Sequence, residues 1–380
     1  MRITAVETIY LSSGVTLHSG AVHYLWVRLH TDSGLIGLGE TYPDPQVEAA
    51  VVHRRLAPVL LGRDPSQIDR LWLDMFDKVN FQGWAGAEMR ALSAVDIALW
   101  DLAGKALEAP VYQLLGGASR DRIRIYNTCY DYFDFCTQPV ELARDLLAKG
   151  IRAMKIWPFD PIARETRGQY ITAAQLRRGC EPLRKIREEF GDDMDVAMEF
   201  HGYWNLPSAI RIAQALEEYE PMWLEEMLPQ DNLAVYGELA AATSLPLCVS
   251  ERLMTRWGFR ELLANGAAQY VMPDAAWCGG ISEAKKIATA AETHYRPVAP
   301  HNCGGPVLHA ASLHLAANLP NLFTLETVRR HYGDEYRSIV TRTYGSVIDG
   351  QMPLPQGPGL GVELTAETLE RSDAVVQRSA

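Results

Sequence analysis

The sequence predicts an α/β protein in which a parallel α/β barrel carries an α+β capping domain. Three observations predict it. Between Asp195 and Thr327 an apolar run, one ionisable residue, a loop and a helical stretch recur six times, the ionisable residues being Glu199, Glu225, Glu251, Asp274, His301 and Glu326. By subtraction these positions lie 23 to 27 residues apart, which is the length of one strand plus a crossover helix with its loops. Ahead of the repeat, strands come first and helices follow, as in an α+β unit. Finally, 380 residues are too many for one small core.

Residues 1–120 form the expected cap, completed by a C-terminal tail at 350–380. ITAVETIYL, YLWVRLHT and LIGLGET read as strands, with DSG before the third as a hairpin turn. The loop SSGVTLHSGAVH carries His18 and His23, either as solvated residues or as specificity groups beside Tyr24. Helical periodicity follows in VEAAVVHRRLAPVLLG, IDRLWLDMFDKV and, most strongly, AEMRALSAVDIALWDLAGKAL.

Residues 121–349 form the expected barrel. RIRIYNT is its first strand, VELARDLLAKG a helix closed by Gly150, and GIRAMKIW the second strand, with Lys155 near its end. The segment PFDPIARETRGQYITAAQ reads as an unusually long loop. Strands 1 and 2 together with the six-fold repeat make eight, enough to close a barrel. TVRRHYGDEYRSIV after the last strand reads as helical, and the Pro- and Gly-rich tail is expected to run back over the cap.

Composition narrows the class. With 48% hydrophobic and 22% charged residues the chain reads as globular, and a net charge of −11 argues against nucleic-acid or anionic-membrane partners. No apolar run is long enough to span a bilayer, and MRITAVETIYL lacks a signal pattern, so a cytoplasmic enzyme is expected. Six cysteines without paired spacing support neither a zinc site nor a disulfide framework.

Parallel barrels build their sites at the C-terminal ends of strands, where all six ionisable residues fall. Glu199, Glu225 and Glu251 end three consecutive strands, so their carboxylates converge. A hard divalent ion, Mg²⁺, would relieve their repulsion; salt bridges to arginine are the alternative. Asp274 beside His301 would fix the imidazole tautomer and prepare a general base. Lys155 could neutralise a substrate carboxylate or its enediolate across the mouth, and Trp157, two residues on, is a candidate substrate contact. Glu326 could donate a proton if its pKa is raised, or form a plain ion pair. Period-2 geometry would put His201 on the same face as Glu199, within reach of substrate, unless it packs on Tyr203 or Trp204.

ALSAVDIALWDLAGKAL with PVYQLLGG, then WLEE, VSE, MPDAAWCGGISEA, APHNCGGP and LFTLE, resemble in order and spacing the motifs of the enolase superfamily, in its mandelate racemase-like branch. The resemblance covers essentially the whole chain. It implies a modified TIM-type (β/α)7β barrel, Mg²⁺ on Glu199, Glu225 and Glu251, a base dyad of Asp274 and His301, and Glu326 as eighth-strand acid. Lys155 matches the first lysine of the family's Lys-x-Lys pair, and Trp157 stands where the second belongs. Glu199 replaces the usual Asp, and EEM replaces EEP. Glu-Phe-His-Gly at 199–202 is similar to the Asp-Phe-His-Gly of members that dehydrate sugar acids. The resemblance therefore implies proton abstraction α to the carboxylate of a small sugar acid, then β-elimination of water to a 2-keto-3-deoxy acid; a homo-oligomer is expected separately, as the common case for soluble enzymes. Epimerisation, racemisation or cycloisomerisation through the same enediolate is the alternative, with a non-catalytic metabolite-binding relative behind it.

Overall fold

The computed structural model describes residues 1–17, 20–81, 83–130, 133–329, 336–344 and 346–380. The three N-terminal strands are Ile3–Leu11, Leu25–Thr31 and Ile36–Thr41, and the tail strand Ala374–Ser379 joins their sheet antiparallel at the Ile3–Leu11 edge. Alternate residues of the middle strand face opposite ways: Leu25, Val27 and Leu29 enter the cap's own core, and Trp26 enters the larger core toward the barrel. The loop expected between the first two strands holds a short hairpin, Val15–Leu17 with Gly20–Val22.

Gly37 and Gly39 lie on the third strand because nothing larger fits. A side chain at either would collide with the carbonyl oxygens of Ala98 and Ala94, on the helix Ala87–Ala106 laid flush against the strand. The first expected cap helix is broken into Pro45–Val51, a π-helical turn Val52–Leu56, and Ala57–Leu60. Pro58 has no N–H to give to the preceding turn, and the widened turn lies directly before it.

The barrel strands are Arg122–Thr128, Ala153–Ile156, Asp195–Glu199, Leu224–Glu225, Leu247–Val249, Tyr270–Val271 and Leu325–Val328. All pair in parallel, and the last returns to the first. The seventh position, around Val298, is held by bridges to Val271 and Leu322 and by one between Asp274 and His301, which close the ring. Small Ala153, Ala197 and Ala299 pack there with large Tyr126, Trp223 and Met272 from other positions round the ring.

Two expectations are corrected. The long loop after the second strand contains a helix, Asp160–Thr166. After the last strand the described residues show turns over 337–339 in place of a helix; 330–335 lie outside the described residues.

The cap is fixed to the barrel by carboxylates that cap barrel helices. Asp96 accepts from the N–H and hydroxyl of Ser282 in the first turn of Gly280–Thr293. Glu40 accepts from the backbone N–H groups of Gly305, Val307 and Leu308, where Pro306–Asn318 begins, and from the Trp26 indole. Both acids are fully buried, so helix dipole and hydrogen bonds replace lost hydration. The tail is tied to the cap by Asp101, which accepts from the backbone N–H groups of Leu38 and Leu360. Among the described residues no helix is long and apolar enough to cross a membrane.

Candidate active site

Glu199 and Glu225 are direct partners in the parallel ladder, so their side chains emerge side by side. Glu251 lies just past the Leu247–Val249 strand on the next position round. The three are 1%, 0% and 5% exposed, and one carboxylate oxygen from each lies within 4.8 Å of the others. Backbone N–H groups of Phe200 and His201 orient Glu199 Oε1 (3.0 and 2.8 Å), and the Trp223 indole holds Glu225 Oε2 at 2.8 Å. Glu251 Oε2 is buried with no hydrogen-bond partner.

Lys155 does not stand across the mouth from this cluster. Its Nζ sits inside it, 3.2 Å from Glu199 Oε2, 2.9 Å from Glu326 Oε1 and in contact with Glu225. Burial opposes the ammonium, but Glu225 and Glu326 hold its pKa well above the lysine range. One ammonium does not balance the acids around it. Burial and the neighbouring Glu199 push Glu225 far up, while against burial His201 and Lys155 hold Glu199 low. All the donors in the triad are oxygens, and one of its carboxylates, Glu251, keeps a buried oxygen without a hydrogen-bond partner. That is the donor set a hard divalent cation takes.

On the sixth and seventh positions, His301 Nδ1 meets Asp274 Oδ2 at 2.7 Å, while Nε2 faces Glu326 Oε2 at 3.5 Å. Asp274 Oδ1 accepts from the Ala276 N–H, so the carboxylate is fixed at both ends. Burial disfavours the imidazolium, but Glu326 nearby and the bond to Asp274 hold the His301 pKa well above its usual value. A third member comes from the cap: the Tyr42 hydroxyl donates to Asp274 Oδ2 at 2.8 Å. Trp277 packs on both Tyr42 and His301, with the Arg90 guanidinium over its ring.

Glu326 does not meet the condition for a proton donor. Although burial would raise it, Lys155 and His301 bring its pKa to about 2, and Thr128 and the Asn302 N–H donate to it. Here it is an acceptor.

The strand ends at Glu199, so period-2 geometry does not place His201. A left-handed turn does, with φ of 50° at His201 and 67° at Gly202. His201 Nδ1 lies 2.8 Å from Asp160 Oδ2, at the start of the helix inside the long loop. Trp157 meets the His201 ring edge-on at 6.1 Å and packs on Tyr130 and Phe135. His201 also packs on Tyr203 at 6.0 Å.

The expected specificity residues fare unevenly. His18 lies outside the described residues. His23 is half-buried with its ring over Gly14. Tyr24 does not face an open surface: it is 2% exposed, its hydroxyl meets that of Tyr336 at 2.7 Å, and its ring abuts Tyr42. Sequence reasoning does not single out Tyr42, which directly follows cap strand three, or Asp160, four residues past the end of barrel strand two.

Residues 138–368 match the family described as enolase C-terminal domain-like, and residues 8–116 match the mandelate racemase / muconate lactonizing enzyme N-terminal domain. Similar curated proteins include the D-gluconate dehydratase of Thermoproteus tenax, 32% identical over 97% of this chain and 73% of that protein. The D-galactonate dehydratase of Xanthomonas oryzae pv. oryzae is 33% identical, covering 94% of this chain and 93% of that one. Among solved structures, an enolase of the mandelate racemase subgroup from Agrobacterium tumefaciens superposes with a TM-score of 0.91 at 45% identity, over 100% of this chain and 99% of that one.

Proposed function

Because this chain belongs to the mandelate racemase / muconate lactonizing enzyme family, within the enolase-like proteins, we propose that it is a hydro-lyase that dehydrates a sugar acid, with Mg²⁺ bound by Glu199, Glu225 and Glu251. The relatives just described act on D-gluconate and D-galactonate, which points to aldonic acids of that size as the substrate class. The observation that carries the reading is a pair of histidines, each backed by a carboxylate: His301 with Asp274 and His201 with Asp160.

When bound, the ion supplies positive charge to the substrate carboxylate, which makes the adjacent C–H more acidic. The rest falls to the side chains. Asp274 accepts from Nδ1–H of His301 and leaves Nε2 as the atom that takes the α-proton. Tyr42 holds the shared Asp274 oxygen in place. Lys155 supplies a fixed positive charge next to the negative charge that develops on the substrate. His201 then delivers a proton to the β-hydroxyl, which leaves as water, and the resulting enol becomes the 2-keto-3-deoxy acid. Trp157 fills the second-lysine position with a group that cannot exchange a proton, so racemisation lacks its usual second base.

His201→Ala should therefore separate the two steps. Exchange of the substrate α-hydrogen with solvent deuterium should persist, while keto-acid formation falls roughly 10²–10⁴-fold. Loss of both steps together would place His201 in substrate binding rather than in proton delivery.

A further inference from the structure

Cys303 follows His301 by two residues and takes no part in the chemistry above. Its Sγ lies 3.3 Å from Glu326 Oε1, and His301 Nε2 lies 3.5 Å from Glu326 Oε2. One donor atom from each of His301, Cys303 and Glu326 falls within 4.8 Å of the other two. This set differs in kind from the glutamate triad, because it offers one nitrogen, one sulfur and one oxygen. A thiolate and an imidazole select soft or borderline divalent ions over Mg²⁺. Three protein ligands with an open fourth position is an arrangement that zinc adopts readily.

The surroundings also suit a ligand set. The other nitrogen of His301 is bonded to Asp274, the outer carboxylate that orients a metal-bound histidine. Glu326 is held by the Asn302 N–H on Oε2 and by Thr128 on Oε1. A thiolate and a carboxylate together neutralise a divalent charge, and the Lys155 ammonium, on the same Glu326 oxygen as the thiol, also meets Glu199 and Glu225.

We infer that His301, Cys303 and Glu326 form a second cation site, selective for a thiophilic divalent ion such as Zn²⁺, whose occupation takes the Nε2 lone pair of His301 and stops proton abstraction. The consequence for turnover rests on the base role proposed for His301. The site itself does not.

The test uses full-length protein saturated with Mg²⁺ and titrated with Cd²⁺, read by the ultraviolet thiolate-to-cadmium charge-transfer band. The band should rise to a stoichiometric end point and resist excess Mg²⁺. It should vanish in Cys303→Ser and in Cys303→Ala. Asp274→Asn should weaken cadmium affinity roughly 10–100-fold, as loss of an outer partner does; binding to a solitary exposed thiol such as Cys136 would not respond. In parallel, Zn²⁺ should inhibit α-hydrogen exchange by the wild type, reversibly on chelation, and not by Cys303→Ser. Absence of the band, its survival in both Cys303 variants, or indifference to Asp274→Asn overturns the site. A band that forms while exchange continues overturns the inhibition.

Discussion

Replacing His301 by Asn is expected to end exchange of the substrate α-hydrogen with solvent deuterium, and turnover with it. The loss should be roughly 10²–10⁴-fold, the range of a positioned general base. The neighbours of His301 do not substitute for it. Burial and Asp274 hold the Tyr42 phenol well above its ordinary range, and Glu326 is engaged with Lys155, Thr128 and Asn302. Asp274→Asn should cost as much as about 10⁴-fold even though His301 remains, because an amide at that position no longer enforces the tautomer with Nε2 free. Proton exchange followed by mass spectrometry decides both. Undiminished exchange in His301→Asn would move the base elsewhere.

Chelation should abolish turnover outright, and Mg²⁺ should restore it. Glu225→Gln should weaken Mg²⁺ binding by at least the roughly 10–100-fold seen for outer partners, since it removes the ligand's negative charge and one of its two oxygens. The fold should survive. Without the ion, burial and Glu199 disfavour the Glu225 carboxylate, so a neutral amide in its place relieves repulsion. Mg²⁺ should accordingly raise the thermal midpoint of the wild type, through binding to the folded state alone, and leave the variant nearly unmoved. Full activity in excess chelator, or equal Mg²⁺ stabilisation of both proteins, would remove the metal from the triad.

Much of this arrangement is legible in the sequence, because a barrel repeats. Each strand, loop and helix returns an ionisable residue to the same rim, so Glu199, Glu225, Glu251, Asp274, His301 and Glu326 could be named from spacing. The strand signal held even where regular pairing did not, as around Val298, where single bridges complete the ring. What spacing could not supply is contact between distant segments. Tyr42 reaches Asp274 across 232 residues and Glu40 reaches Gly305 across 265, and nothing local in either segment encodes the partner. Strand periodicity does not account for His201, which sits in a left-handed turn rather than on a strand. Lys155 lies on the strand that the sequence indicates, but among the glutamates rather than across the mouth from them. The charge of its neighbours, read only from the folded barrel, decides where its ammonium rests and why Glu326 stays ionised.

The most direct test of the central claim is product analysis in deuterated water. The enzyme with Mg²⁺ is incubated with a panel of five- and six-carbon aldonic and aldaric acids and examined by NMR. At least one should be converted to a 2-keto-3-deoxy acid, with solvent deuterium entering at the carbon that loses the hydroxyl. Return of substrate with inverted α-configuration, or of a cyclised isomer, and no keto acid would contradict it.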